Sequence, residues 1–332
     1  MRRRSTVHRL SAVAVAAACT IVAGVLAAPP AYAVPVTNTI AQVQGTGAAT
    51  PLAGQTVTVE GVVTADHRVG GYAGFYIQTP GADTTPGASD GVFVFLNGVS
   101  TPTFAIGDLV RVTGVAQEQF SVTRINASGA GASVEVVQAG AGGAVAAPLR
   151  STVLGSARES LEGMLVAPQG TYKVISSHQL DNFGALWLNA GDTMPVEAFE
   201  SQPPTTKNAL GETIVNPAVT AINTANRNSR LLLDDGYSLG TSDPGHPGDQ
   251  PYFTKETVVR NGDVVVFPSA PYVLGFDFSD WRLQPTTPIT SESVGAPKPT
   301  FKSVDGTKVV GNPRPATPPE VGGADGQQQP LT

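Results

Sequence analysis

Three histidines beyond the first 33 residues, His67, His178 and His246, are the side chains best suited to move a proton near neutral pH or to ligate a transition metal. Both tasks need several groups to converge. Each histidine sits in its own loop with no carboxylate at ligand or triad spacing, so the three read as solvated loop histidines. No H-E-x-x-H or phosphate-loop pattern occurs. The run Asp243–Asp249, with Asp234 and Asp235, has the oxygen-rich character a Ca²⁺ ion wants. Its spacing fits no loop template, and a plain acidic turn is the favoured reading. No catalytic residue and no metal ligand is therefore assigned.

Aromatic and cationic residues offer a second chemistry. Where Phe75, Ile77, Val92, Val94, Val110 and Val112 point inward, strand parity turns Tyr76, Phe93, Phe95 and Arg111 outward. Aromatics on such a face can stack bases while cations meet phosphates, with Arg68 and Arg124 as further phosphate contacts. The competing explanations are that Phe93 and Phe95 pack against a second module or another domain, and that the arginines are ordinary surface charges. Trp281 and Arg282 hold a matching place further along, with Trp281 read as core.

The elements that must position these residues are strands. Gln55–Asp66 alternates Val57, Val59 and Val63 with Thr56, Thr58, Glu60 and Thr64, and Gly61 marks a bulge or bend. Gly74–Gln78, Gly91–Leu96 and Asp108–Gly114 follow. Gln119–Ile125 is expected to continue the fourth strand, and Ser133–Gln138 to close the fifth. Five coiled strands over Gly54–Val137 fit an OB-fold barrel, within a domain over 38–138.

Ala139–Pro148 reads as a flexible hinge, giving a linker over 139–150. Glu162–Val166 then echoes Glu60–Val63, and Asn261–Phe267 echoes Ile106–Val112, predicting a second OB-like β domain over 151–287. The fold class expected is all-β: two OB-fold-like small barrels in tandem. Residues 288–332, with eight prolines, read as a linker or disordered tail.

Met1-Arg-Arg-Arg4, an uncharged run to Ala28 and Ala31-Tyr-Ala33 describe a secretory signal peptide over 1–33, cleaved before Val34. Four arginines and Cys19 leave with it. The mature chain keeps sixteen cations against 26 acids, net −10, and has no cysteine for a disulfide. Such charge disfavours strong binding to a polyanion. No membrane association is expected after cleavage.

Gln44–Val63, Gly74–Gln78, Ser89–Val94, Gly107–Gly114, Leu161–Val166, Asn226–Gly236, Trp281–Thr286 and Asn312–Ala316 together resemble, in order, the front part of a family of secreted bacterial endonucleases. In that family an OB-fold domain and a second β region precede a C-terminal domain of the endonuclease/exonuclease/phosphatase superfamily. The resemblance implies an extracellular, non-catalytic accessory region that binds nucleic acid weakly, in single-stranded form, and docks a nuclease domain. The catalytic domain has no counterpart here, since only nine residues follow Gly323. A missing nuclease domain would need a divalent metal such as Mg²⁺, whereas this chain calls for no cofactor. A structural or cell-envelope interaction module, and a truncated form of a complete nuclease, are the alternatives.

Overall fold

The inward set expected from the period of two forms one core. Val57, Val59, Val63, Phe75, Ile77, Val92, Val94, Val110 and Val112 are buried together with Ile40, Val43, Phe104 and Ile125. The computed structural model describes residues 34–254 and 257–303, with the backbone of 321–322 and 328–329. The signal-peptide segment and the tail beyond 303, the two short pairs apart, lie outside the described residues.

A short helix, α1 (Ile40–Gln44), is held by a reciprocal cap between Thr39 and Gln42. It precedes β1 (Thr56–His67), β2 (Gly74–Gln78), β3 (Gly91–Phe95), β4 (Leu109–Gln119) and β5 (Val122–Asn126). These run in the order β1-β2-β3-β5-β4, with β3 and β5 parallel. The β1–β4 ladder, from Thr56↔Val115 to Val62↔Leu109, closes the sheet into a five-stranded barrel of OB order. Two strand expectations change. The chain reverses at Phe120-Ser121, so 122–126 is the fifth barrel strand rather than an extension of the fourth. Ser133–Gln138 is an added strand, β6, laid on β4. The irregularity in β1 falls between Val63 and Ala65, not at Gly61.

The second module comprises β7 (Ala147–Arg150), a 3₁₀ turn (Gly155–Leu161), β8 (Leu165–Gln169), β9 (Tyr172–Ser176), α2 (Leu180–Phe183) and β10 (Leu186–Ala190). Then come α3 (Ala198–Ser201), the hairpin β11 (Thr205–Lys207) and β12 (Thr213–Val215), α4 (Pro217–Ser229) and β13 (Arg230–Leu233). The last strands are β14 (Val264–Val266), β15 (Tyr272–Asp277), β16 (Asp280–Pro285) and β17 (Thr300–Lys302). Nine of them form one curled half-barrel in the order β17-β14-β9-β10-β13-β16-β15-β8-β7. Leu186, Leu188, Leu231, Leu233, Leu274, Leu283 and Trp281 lie in its core. The buried guanidinium of Arg158 joins the 3₁₀ turn to the end of α4, donating to the carbonyls of Val153, Ser229 and Arg230.

The internal echo does not extend to pairing. In the barrel, β1 pairs with β4; here β8 pairs with β7 and β15, while β14 pairs with β9 and β17. Nor is 139–150 a free hinge. Gly142 donates to Gly107 O, Gly81 and Ala144 form a bridge, and Ala147 and Leu149 are buried in the second sheet. Residues 288–303 also belong to this module, since Ile289 and Phe301 are core and β17 pairs with β14.

The two modules pack as one unit along a largely apolar seam. Ala65, Tyr76 and Phe93 of the barrel meet Leu165 and Val273, with Phe95, Ala144 and Ala146 at the margin. Several polar groups in the seam are paired across it: the Tyr76 hydroxyl donates to Gln284 Oε1, Leu165 N donates to Gln78 Oε1, and Asp66 N donates to Thr286 O. Ser89 Oγ and Gln44 Nε2 both donate to Glu162 O. The backbones touch where Gly91 meets Gly163: a Cβ on Gly91 would lie 2.3 Å from Gly163 O. Gly91→Ala is therefore expected to lower unfolding free energy by roughly 1–3 kcal/mol in calorimetry. Gly47→Ala, with open space around it, should stay within about 0.5 kcal/mol of wild type. Equal midpoints for the two variants would refute the close contact.

Candidate functional site

The predicted outward aromatics do share one face of the barrel, but that face is covered. Tyr76 and Phe93 are 6% and 8% exposed, consumed by the seam. They cannot act as an open stacking platform, and the alternative of packing on the second module is what the structure shows for them. Phe95 stays half-buried, and the Arg124 guanidinium lies 4.3 Å from its ring centroid. A Cβ on Gly275 would meet the Tyr76 hydroxyl at 2.9 Å, so the bare backbone of β15 is what admits Tyr76.

Beyond the edge of this seam the modules diverge into a cleft of about 260 Å³. Its walls bring together Tyr76, Phe93, Phe95 and Arg124 with Tyr72, Phe120, Phe276 and Phe278. A second cavity of about 230 Å³ adjoins it, sharing Tyr72, Ser238 and Phe278 and adding Phe183, Tyr237 and Arg282. Four of the six expected binding residues thus converge. Arg68 and Arg111 do not. Arg68 is held by Asp66 at 2.6 Å and lies over Phe104, and Arg111 is held by Glu60 at 2.5 Å with Glu135 at 3.9 Å. Burial raises the Asp66 carboxyl, but the hydrogen bonds and charge of Arg68 outweigh it and leave it below its usual value.

Arg124 differs from these. It donates to Gln117 Oε1 and has no carboxylate partner among the described residues. Partial burial lowers its pKa, a sign that its charge is incompletely solvated. Tyr72 keeps a buried hydroxyl with no hydrogen-bond partner among the described residues. Asp277, on the same wall, has its carboxyl raised by burial.

Two histidine readings are corrected. His67 is fully buried in the seam: its Nε2–H donates to Pro285 O at 2.8 Å, and Nδ1 has no partner among the described residues. His246 is buried beneath the Tyr237 ring, and its Nε2 meets Asp235 Oδ2 at 3.0 Å. Burial, then the adjacent Asp234, raises the Asp235 carboxyl, while His246 counteracts them. Asp234 pairs in turn with Arg282 at 2.5 Å. His178 is exposed, as expected.

A sequence reading that finds no G-x-S-x-G is corrected by two serines with that spacing, in Gly87-Ala-Ser-Asp-Gly91 and Gly236-Tyr-Ser-Leu-Gly240. Neither sits on a strand-to-helix elbow. Ser89 Oγ donates to Glu162 O and Ser238 Oγ to Gly70 O, while both ring nitrogens of His246 are engaged elsewhere. Asp243 and Asp249 accept from the backbone of their own turns. No group of three metal-ligating side chains gathers among the described residues. No helix among them is long and apolar enough to cross a membrane. Among the described residues, the cleft walls bring no nucleophile and base together.

His67 gives a measurable pH signature. Burial holds its pKa below 6.5, so beneath that value the unfolded chain binds more protons than the native one. Its contribution is present above pH 6.5 and fades as pH falls toward the lower folded value. Asp235 and Glu162, both raised by burial, act in the opposite sense. His67→Gln keeps a donor for Pro285 O and leaves those acids in place. Between pH 7.5 and 5.5 the variant should lose less stability than wild type, by up to about 1.4 kcal/mol per pH unit in denaturant titrations. Parallel pH profiles would refute the buried neutral imidazole.

Comparison with protein-family models, with curated proteins and with solved structures finds no match for this chain.

Proposed function

We propose that the chain is a secreted, non-catalytic accessory module that holds single-stranded nucleic acid weakly, in the manner expected of the front region of an extracellular endonuclease-like protein. The observation that carries this is the convergence of Phe95, Phe120, Phe276, Phe278 and an Arg124 with no carboxylate partner among the described residues on one cleft at the β2–β3 side of an OB barrel. Aromatic faces are tolerant of base identity, and a cation beside them suits a phosphate. The site proposed is therefore the inter-module cleft, with Tyr76 and Phe93 shaping its floor. A mature charge of −10 opposes a polyanion, so affinity is low and falls with salt. Binding of this kind needs no cofactor; Mg²⁺ would enter only with a nuclease domain, for which the module would act as a tether and docking partner.

A second reading, a structural two-module spacer, draws on the seam itself. Tyr76 and Phe93, the residues best typed for stacking, are spent on holding the modules together.

Fluorescence anisotropy separates the two. Mature protein titrated onto labelled oligothymidylate at low salt should bind saturably and leave the strand intact. Arg124→Gln should weaken binding several-fold and reduce the slope of log affinity against log salt by about 0.7. Absence of saturable binding by wild type would overturn the nucleic-acid reading and leave the spacer.

A further inference from the structure

The two hairpin tips that border the cleft depart from turn chemistry in the same way. The β4–β5 tip is Phe120-Ser121 and the β15–β16 tip is Phe278-Ser279, each a two-residue loop between paired strands. All four residues have positive φ: 55°, 61°, 50° and 66°. Two-residue hairpins favour such left-handed pairs because their twist matches the strands, and they are normally built from Asn-Gly or Gly-Gly. A phenylalanine there is an outlier, since its Cβ crowds the backbone. Packing does not compensate, for Phe120 is 77% and Phe278 74% exposed. Two bulky apolar rings held outward at strained positions, one from each module and beside one cavity, serve something other than the stability of the fold.

We infer that Phe120 and Phe278 are the jaws of a clamp, contributed by separate modules, that takes one nucleobase of single-stranded nucleic acid into the cleft and leaves its phosphate toward Arg124. The inference rests on the nucleic-acid reading above and deepens it. At about 260 Å³ the cavity lies below the ~300–1,000 Å³ that drug-sized ligands occupy, which suits a single ring system rather than a run of stacked bases. Tyr72, Phe95 and Phe276 supply aromatic walls, and the Asp277 carboxyl supplies a polar group for the edge of a base. The Arg124 guanidinium sets the charge complementarity: it lies on Phe95 with no ion pair among the described residues, whereas Arg282 is matched to Asp234. The jaws are symmetric in chemistry but not in support. Phe278 has the Arg282 guanidinium 5.6 Å from its ring centroid and stands between the two cavities.

The test replaces both tips with relaxed turns, Phe120→Asn with Ser121→Gly and Phe278→Asn with Ser279→Gly, in the full mature chain. The thermal midpoint should rise by about 2 °C or more, because the strain is removed. Affinity for oligothymidylate should fall about tenfold or more. Saturable one-to-one fluorescence of the aromatic probe 1-anilinonaphthalene-8-sulfonate should be lost. A lower midpoint would show that the rings stabilise the fold and would overturn the clamp. Unchanged affinity for strand and dye would overturn the clamp while leaving the nucleic-acid reading intact. Jaw-dependent dye binding without strand binding by wild type would sustain the ring clamp and overturn nucleic acid as its occupant. Binding of neither by wild type would overturn both.

Discussion

The structure depends on covering one aromatic barrel face. Tyr76 and Phe93 sit on the outer side of β2 and β3, and left in water they would expose a contiguous apolar patch. Burying them against Leu165 and Val273 removes that area, but it also dehydrates the Tyr76 hydroxyl, Gln78 and His67. Each of these finds a partner in the second module: Gln284, Leu165 N and Pro285 O. A buried polar group costs free energy when unpaired, so these bonds set the relative placement of the modules more sharply than apolar contact alone. The cleft follows from this placement, because it is the margin where the seam ends and the hairpin tips continue.

The cleft at the end of the seam gathers its rings and its cation in few residues. Four arginines are neutralised locally: Arg68 by Asp66, Arg111 by Glu60, Arg230 by Asp280 and Arg282 by Asp234. In a chain with an excess of acids, Arg124 at the cleft has Phe95 and Gln117 as neighbours rather than a carboxylate among the described residues. The cleft therefore couples one cation to several rings, the chemistry on which the proposed reading rests.

Much of the barrel was legible in the sequence because burial on one side writes a period of two into the residues, and Val57 to Val63 carry it plainly. Parity also placed Tyr76, Phe93 and Phe95 on one face correctly. What covers that face was not legible, since Gln284 and Pro285 lie more than two hundred residues downstream and no local pattern announces the pairing. The fifth strand was displaced for a different reason. Phe120-Ser121 contains neither Gly, Asn nor Pro, so nothing in its composition marks a reversal; the signal present was the recurrence of Phe-Ser at 278–279. His246 and Asp235 lie eleven residues apart, a spacing no regular element would bring together, and only the irregular loop after β13 does so.

The length of chain between the two sides of the seam has a bearing on how the protein is made. Asp66 bonds to Thr286, His67 to Pro285 and Tyr76 to Gln284, so the strand that completes the cover is synthesised after almost all of the second module. The barrel can assemble early from its own ladders, which link β1 to β4 within about sixty residues of chain. Its aromatic face is then uncovered until the intervening segment has been made. Non-local closure of this kind is slow, and an exposed apolar face during that interval invites chaperone capture or self-association. The seam that joins the modules is thus the contact with the longest chain separation to close.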